Sequence, residues 1–301
     1  MRLIGQSNPA RKSKSAIAEE SAMSHWIISA FADEHSSDLA GQIAALQSFD
    51  IPHIELRFVD GNNVADLTAQ EAKHVKQMLD AGGIRVSAVG SPLGKINLAD
   101  DFAAHLEKAR QVFETAAILQ TDKIRMFSFY LHAGKDRSQC RGEVVDKLGT
   151  MLDLADTFGM RLCHENEGEI YGESPAQCLD LMEAFGGRLG CVFDMGNFAF
   201  KGHDPLQGYE LLKTYISYFH IKDALSAGAI VPAGCGEACI GQILHAYRNE
   251  FQKDVLLTIE PHLQTFDGLN KLVGVTFENP YQFPSAQAAF AEGVRATKAL
   301  L

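Results

Sequence analysis

Four short apolar runs in the second half of the chain each stop at a residue that can bind a cation or move a proton. They read Cys163-His164-Glu165-Asn166-Glu167, Phe193-Asp194-Met195-Gly196-Asn197, Phe219-His220-Ile221-Lys222-Asp223 and Ile259-Glu260-Pro261-His262. If the runs are neighbouring strands, their ends bring Glu, Asp, His and Glu into one space. Three carboxylates in a low-dielectric pocket carry a large desolvation cost unless a counter-charge joins them. A divalent cation removes that objection. Oxygen and nitrogen ligands without thiolate suit Mn²⁺, Mg²⁺, Co²⁺ or Zn²⁺, and the residue types do not choose among these. A single strand-end Glu reads more readily as a solvated loop residue or a partner of a helix N-terminus, and His220 alone as a hydrogen-bonded core histidine. Four such ends in succession favour the metal. Glu167 shares strand parity with Glu165 and is an alternative ligand, with Glu165 preferred because it stands nearer the strand end.

Other residues around these ends are candidates for substrate contact. Glu55 and Arg57 share parity in His53-Ile54-Glu55-Leu56-Arg57. Pointing inward, the guanidinium would hold an anionic or polyhydroxyl substrate and the carboxylate would hold the guanidinium; a salt bridge in the bottom layer is the plainer alternative. Lys95 of Ser91-Pro92-Leu93-Gly94-Lys95 would reach over the mouth. Lys222, two residues past His220 on the same face, would neutralise a developing oxyanion or pair with a ligand carboxylate. His164 and His262 flank the proposed ligands and are assigned to substrate contact, with a structural role as the alternative; Asn197 joins the same set. Cys235 and Cys239 lie in a Gly-rich loop without partnering ligands and read as structural.

Positioning these groups requires a regular scaffold, and the chain supplies one. From Trp26 onward, β-branched or aromatic runs alternate with stretches of helical period, the pattern of parallel strands joined by helices. The strands are expected at Trp26 to Ala32, His53 to Arg57, Ile84 to Gly90, Lys123 to Phe129, Arg161 to Glu165, Leu189 to Asp194, Ile216 to Ile221 and Val255 to Glu260. Between them, Asp38 to Phe49, Ala69 to Ala81, Asp101 to Leu119, Arg141 to Phe158 and Pro175 to Phe185 space apolar residues three and four apart. Gly82-Gly83, Gly159 and Gly186-Gly187 end three of these helices where a left-handed residue is needed. Eight strands predict an α/β fold with a single (β/α)8 TIM barrel, whose active sites lie at the C-terminal strand ends. The rival is a doubly wound open sheet. Its phosphate loop would follow the first strand, where the chain reads Phe31-Ala32-Asp33-Glu34-His35 instead.

Length and composition set the outer limits. At about 150 residues per domain, 301 residues suggest two domains, but barrels of about 250 residues are the usual exception, and no composition break divides the series. The barrel is assigned to residues 23–301, and residues 1–22 are expected to be a disordered tail. That tail has no apolar run for a signal peptide or a membrane span, so no membrane partner is expected. Six cysteines without a CxxC pair fit a reducing compartment, and the cytoplasm is the expected location. The net charge of −11 repels phosphate backbones, so no nucleic-acid partner is expected. A homo-oligomer is left open.

Together the motifs HENEGEIYG at 164–172, FDMGNF at 193–198, YFHIKDA at 218–224, PAGCGE at 232–237 and IEPHL at 259–263 resemble the xylose isomerase-like TIM barrels known as sugar phosphate isomerases and epimerases. IELR at 54–57 and SPLGKI at 91–96 resemble second- and third-strand motifs of the same family. The resemblance implies one divalent metal held by Glu165, Asp194, His220 and Glu260. It also implies that Glu165 and Glu260 act as an acid/base pair. Cys235 within the Gly-rich loop and the long segment from Gln264 to Pro284 depart from the family pattern and bear on substrate size and lid structure. A cation that holds a carbonyl oxygen and the neighbouring hydroxyl acidifies the C–H between them by stabilising an enediolate. The expected activity is therefore a metal-dependent isomerase or epimerase of a sugar or sugar phosphate, a small-molecule substrate. A metal-dependent dehydratase of a polyol or cyclitol ketone is the neighbouring outcome. More distant are an apurinic endonuclease-like phosphodiesterase, against which the net charge argues, and a non-catalytic sugar-binding barrel.

Overall fold

The protein was analysed as a computed structural model that describes residues 25–264 and 281–301. Eight strands form the barrel: β1 (Trp26–Ala30), β2 (His53–Leu56), β3 (Arg85–Gly90), β4 (Lys123–Met126), β5 (Arg161–Glu165), β6 (Gly190–Asp194), β7 (Ile216–Ile221) and β8 (Val255–Ile259). Each pairs in parallel with its sequence neighbours, and β8 closes onto β1 with Trp26 opposite Val255. The expected TIM barrel is the observed fold. The strand runs expected to reach Ala32 and Phe129 end earlier, at Ala30 and Met126. After β1 the chain enters a short helical turn at Ala32–Glu34. After β4 the backbone turns to the loop beyond β3, with Phe127 N–H donating to Leu93 O, Phe129 N–H to Gly94 O and Tyr130 N–H to Ile96 O.

The intervening helices are α1 (Leu39–Ser48), α2 (Ala69–Ala81), α3 (Phe102–Leu119), α4 (Arg137–Phe158), α5 (Pro175–Phe185), the short α6 (Met195–Phe200), α7 (Pro205–Leu212), α8 (Ile240–Phe251) and α9 (Ala286–Lys298). Their starts carry the side chains that satisfy free N–H groups. Thr68 and Glu71 form a reciprocal capping box on α2, and Asp136 and Gln139 do the same for α4. That box starts α4 at Arg137, a turn before the expected Arg141. The helix ends expected at glycines carry them, with Gly83, Gly159 and Gly186 at positive φ. Among the described residues no helix is long and apolar enough to cross a membrane. The tail assigned to residues 1–22 and most of the segment from Gln264 to Pro284 lie outside the described residues.

Strand alternation divides the core in two. Leu162, Phe193, Phe219 and Leu257 face the helices and join the large outer core, whereas Cys163, Val192, Tyr218 and Leu256 face the barrel axis with Ala88 and Ile27. Two residues further along, on the same inward face, come Glu165, Asp194, His220 and Thr258, so the barrel interior turns from apolar to ionic toward its C-terminal end.

One wall of that end rests on a buried imidazole. His105 of α3 accepts a hydrogen bond from the Gly94 N–H at 2.9 Å through Nε2. Gly94 sits at φ +83°, and a Cβ there would run into the Phe127 carbonyl. Burial, reinforced by Lys147, pushes His105 down to about 4, so the ring is neutral in the fold. A depressed imidazole binds its proton in the unfolded chain first, near pH 6.5. Its stability contribution is therefore complete above that pH and is lost as pH falls toward 4. Urea unfolding at pH 7 and pH 5 should show His105→Gln losing about 1–2 kcal/mol less than the wild type over this interval. Equal losses in the two proteins would remove His105 as the acid-sensitive element.

Candidate metal centre

The ends of β5, β6, β7 and β8 bring Glu165, Asp194, His220 and Glu260 together, with one ligand atom from each lying within 4.8 Å of every other. All four are buried. His220 Nδ1 is the common point, 3.1 Å from Glu165 Oε1 and 3.2 Å from Glu260 Oε2. Asp194 enters from the side. Its Oδ1 accepts the Asn197 N–H at 2.8 Å and so starts α6, which leaves Oδ2 for the cluster. The helix begins against β7, since a Cβ on Gly196 would lie 2.6 Å from the Lys222 carbonyl oxygen. The glycine in FDMGNF is thus a requirement of close approach.

Cations surround the carboxylates. Lys222 Nζ lies 2.9 Å from Asp194 Oδ2 and 3.4 Å from Glu260 Oε2. Arg125 Nε is 3.2 Å from Glu165 Oε2. Arg57 donates to both oxygens of Asp33 at 2.9 and 3.2 Å, to Glu260 Oε1 at 2.9 Å and to Glu34 Oε1 at 3.4 Å, with its guanidinium stacked 4.1 Å from the Phe31 ring centre. His262, at φ +48°, folds back so that Nε2 lies 3.1 Å from Glu260 Oε1 and 3.4 Å from Glu34 Oε1. Glu34, Glu260 and His262 are also close enough to hold a cation, but the Arg57 guanidinium already lies among them.

The charge states follow from these neighbours. Burial alone would raise Glu165, but His220 and Arg125 outweigh it and bring the carboxyl down to about 2. Glu260 is likewise held well below the ordinary carboxylate range against burial, by Lys222 and His262. Asp194 goes the other way. Burial, opposed by Lys222 and reinforced by Glu165 and Glu260, pushes it up to about 7. Its Oδ2 is fully buried and makes no hydrogen bond. A buried carboxylate oxygen whose neighbouring donor is the Lys222 ammonium at poor hydrogen-bond geometry, beside two ionised glutamates and an imidazole nitrogen, is a set that a hard or borderline divalent cation fits.

The remaining candidates separate by strand parity. His164 shares its face with Leu162 and turns away from the cluster. Ser128 Oγ accepts the Gly172 N–H at 2.7 Å and so offers its proton to His164 Nε2, 2.9 Å away. Burial lowers this ring to about 4, and its bond to Ser128 on the outward face of β5 favours the structural alternative over substrate contact. Glu55 does not hold Arg57; it accepts from His220, Tyr218 and Thr258 instead. Glu167 pairs with Lys95 at 3.1 Å, and of the two glutamates it is Glu165 that joins the four-residue cluster. Asn197 Nδ2 donates to the Asn166 carbonyl at 2.9 Å and reaches Glu165 Oε1 at 3.4 Å. Among the described residues all six cysteines are free thiols. Sequence reasoning missed Asp33, Glu34 and Arg125. Their signal was position, since two acids directly follow β1 and Arg125 lies on the inward face of β4. It also missed Asp223, whose carboxylate accepts the N–H groups of Ala224, Gly234, Gly236 and Ala238 and so ties the Gly-rich loop to the end of β7.

Calorimetric titration of chelator-treated protein with Mn²⁺ or Co²⁺ is expected to show one site per chain. Replacing Asp194 with Asn, which removes the buried charge, should weaken that site at least about 10-fold, the lower range even for groups one shell further out. Unchanged affinity, or a cation located elsewhere, would dismiss the assignment.

A family model described as xylose isomerase-like TIM barrel matches residues 43–262. A 3-dehydroshikimate dehydratase of Bacillus anthracis is 26% identical over 133 residues, 44% of this chain and 48% of that protein, so the match spans about half the length of this curated relative. Among solved structures, the IOLI protein with a bound zinc atom superposes with a TM-score of 0.69 at 16% identity, covering 91% of this chain and 97% of that one. D-psicose 3-epimerase in the presence of D-fructose superposes with a TM-score of 0.68 at 14% identity, covering 90% and 97%. At these identities the structural likeness concerns the fold. The family match covers well over half of the sequence and includes every residue of the four-ligand cluster: the chain belongs to the xylose isomerase-like TIM barrel family.

Proposed function

We propose that the chain is a divalent-metal-dependent isomerase or epimerase of a sugar or sugar phosphate, moving a proton at the carbon next to the substrate carbonyl. The observation that carries this reading is the pair of buried, ionised glutamates meeting at one imidazole nitrogen, Glu165 at 3.1 Å and Glu260 at 3.2 Å from His220 Nδ1. Glu165, Asp194, His220 and Glu260 would hold the cation. Mn²⁺, Mg²⁺, Co²⁺ and Zn²⁺ all suit this set, and the bound cation supplies Lewis-acid stabilisation of the negative charge on the deprotonated hydroxycarbonyl.

The chain's own residues do the proton work. A carboxylate held low by fixed cations stays ionised and ready to take a proton, and Glu165 and Glu260 both meet that condition. One removes the proton and the other stands across the site to return one. Lys222, buried between Asp194 and Glu260, places an ammonium where a developing oxyanion needs it. Lys95 and Glu167 form a paired rim that offers both a donor and an acceptor to hydroxyl groups. Arg57 and His262 brace the outer oxygen of Glu260 and set its direction.

A second reading, a dehydratase of a polyol or cyclitol ketone, is favoured by the similarity to the 3-dehydroshikimate dehydratase. It begins with the same proton removal and ends by expelling a β-hydroxyl. Incubating metal-saturated protein with a panel of ketoses and cyclitol ketones in D₂O separates the two. The isomerase reading expects deuterium at the carbon next to the carbonyl with mass otherwise conserved; the dehydratase reading expects loss of water. With the metal saturated, Glu260→Gln should lower kcat at least about 10²-fold, the lower range for general base catalysis. Normal turnover by that variant, or product without solvent deuterium, would eliminate proton transfer by Glu260. Chelation should abolish turnover, and added Mn²⁺, Co²⁺ or Mg²⁺ should restore it.

A further inference from the structure

Beneath the cluster, inside the barrel, lies a carboxylate that meets the proposed metal ligands at His220 and is not one of them. Glu55 comes from β2, three strands away from β7 around the barrel, and its side chain is fully buried. The pairing of β2 with β3 shifts register between Ile54 and Glu55, an irregularity of the kind that re-aims a side chain. Re-aimed, Glu55 crosses the axis and gathers three donors. Tyr218 Oη–H donates to Oε1 at 3.0 Å, Thr258 Oγ1–H to Oε2 at 2.7 Å, and His220 Nε2 lies 3.1 Å from Oε2. Thr258 and His220 are register partners on adjacent strands, so the two donors to Oε2 are fixed side by side.

Both Glu55 oxygens accept hydroxyl hydrogens, from Tyr218 and Thr258, so the hydrogen in the His220–Glu55 contact sits on Nε2. The other ring nitrogen faces Glu165 and Glu260 and shares a hydrogen with them here, and it is the nitrogen from which an incoming cation would displace that hydrogen. Rotation of the ring is blocked by edge contacts with Phe31, centroids 5.2 Å apart, and Tyr218, 5.5 Å apart.

We propose that Glu55 is a positioning residue of the metal centre, fixing the tautomer and direction of the His220 imidazole through Nε2 while Tyr218 and Thr258 hold Glu55 itself. This rests on His220 being a metal ligand, not on the identity of the substrate. Glu55 acts through His220 and contacts no reacting atom. Carboxylates in this position behind a ligating imidazole typically contribute 10–100-fold to metal affinity.

The test uses the full chain, freed of metal by chelation and titrated calorimetrically with Mn²⁺ or Co²⁺. Glu55→Ala is expected to weaken binding about 10–100-fold. Glu55→Gln keeps an oxygen for the Nε2 hydrogen and should fall between Ala and wild type. Long-range ¹H–¹⁵N spectra of the Zn²⁺-loaded proteins give an independent readout: wild type and Glu55→Gln should show His220 protonated at Nε2, and Glu55→Ala should lose the slow exchange of that proton. If Glu55→Ala does not fold, Glu55→Gln alone decides, and affinity within twofold of wild type overturns the proposal. A wild type that binds no divalent cation also overturns it. Glu55-dependent binding supports it even where no sugar turns over, an outcome that would defeat only the proposed activity.

Discussion

The end of this barrel is organised by one electrostatic constraint: carboxylates that meet inside a medium of low polarizability must be given counter-charge. Asp33, Glu34, Glu55, Glu165, Asp194 and Glu260 are all buried there, and the buried cations beside them are Arg57, Arg125 and Lys222. Carboxylates gathered in this way are what a divalent ion would offset. The constraint also explains the placement of residues that neither bind nor react. Arg57 is held by Asp33, Glu34 and Glu260 together, and each of those carboxylates would be far costlier without it. Burial still pushes Glu34 up to about 8 despite Arg57, so this carboxyl stays protonated at neutral pH.

The same constraint shaped how much of the site could be read in the sequence. The four-residue cluster was legible because each member ends an apolar run, and an apolar strand has no reason to finish on a charged residue unless its end faces a polar space. The eight-strand count then fixed which end that was. Partnerships across the barrel were not legible. Strand parity shows that Glu55 and Arg57 point inward, but it cannot show that Glu55 crosses the axis to His220 while Arg57 reaches Asp33 and Glu260. The register shift at Glu55 that makes the crossing arises from pairing with β3, which no local pattern reveals.

The outward direction of His164 is legible in the sequence. Its alternation with Cys163 and Glu165 puts it on the face of Leu162, toward the helices. Adjacency to Glu165 does not carry a role across, because neighbouring residues in a strand occupy opposite environments. Lys222 and Asp223 show the same division put to use. Lys222 faces the carboxylates, while Asp223, one residue on, gathers four backbone N–H groups and fastens the Gly-rich loop. Loop geometry of this kind depends on contacts ten or more residues apart, and neither period nor composition encodes it.

The arginines have a consequence for how the protein is made. Arg57 and Arg125 are permanently charged and already engage Glu260 and Glu165, and a proton on Asp194 is available near neutral pH. The chain therefore carries enough internal compensation to close the barrel before any ion arrives. Folding would then not have to wait for metal, and a divalent ion entering the site would take over the place of a proton. Any metal held there would be decided by the ions its surroundings supply after folding, not by those present while the chain was being assembled.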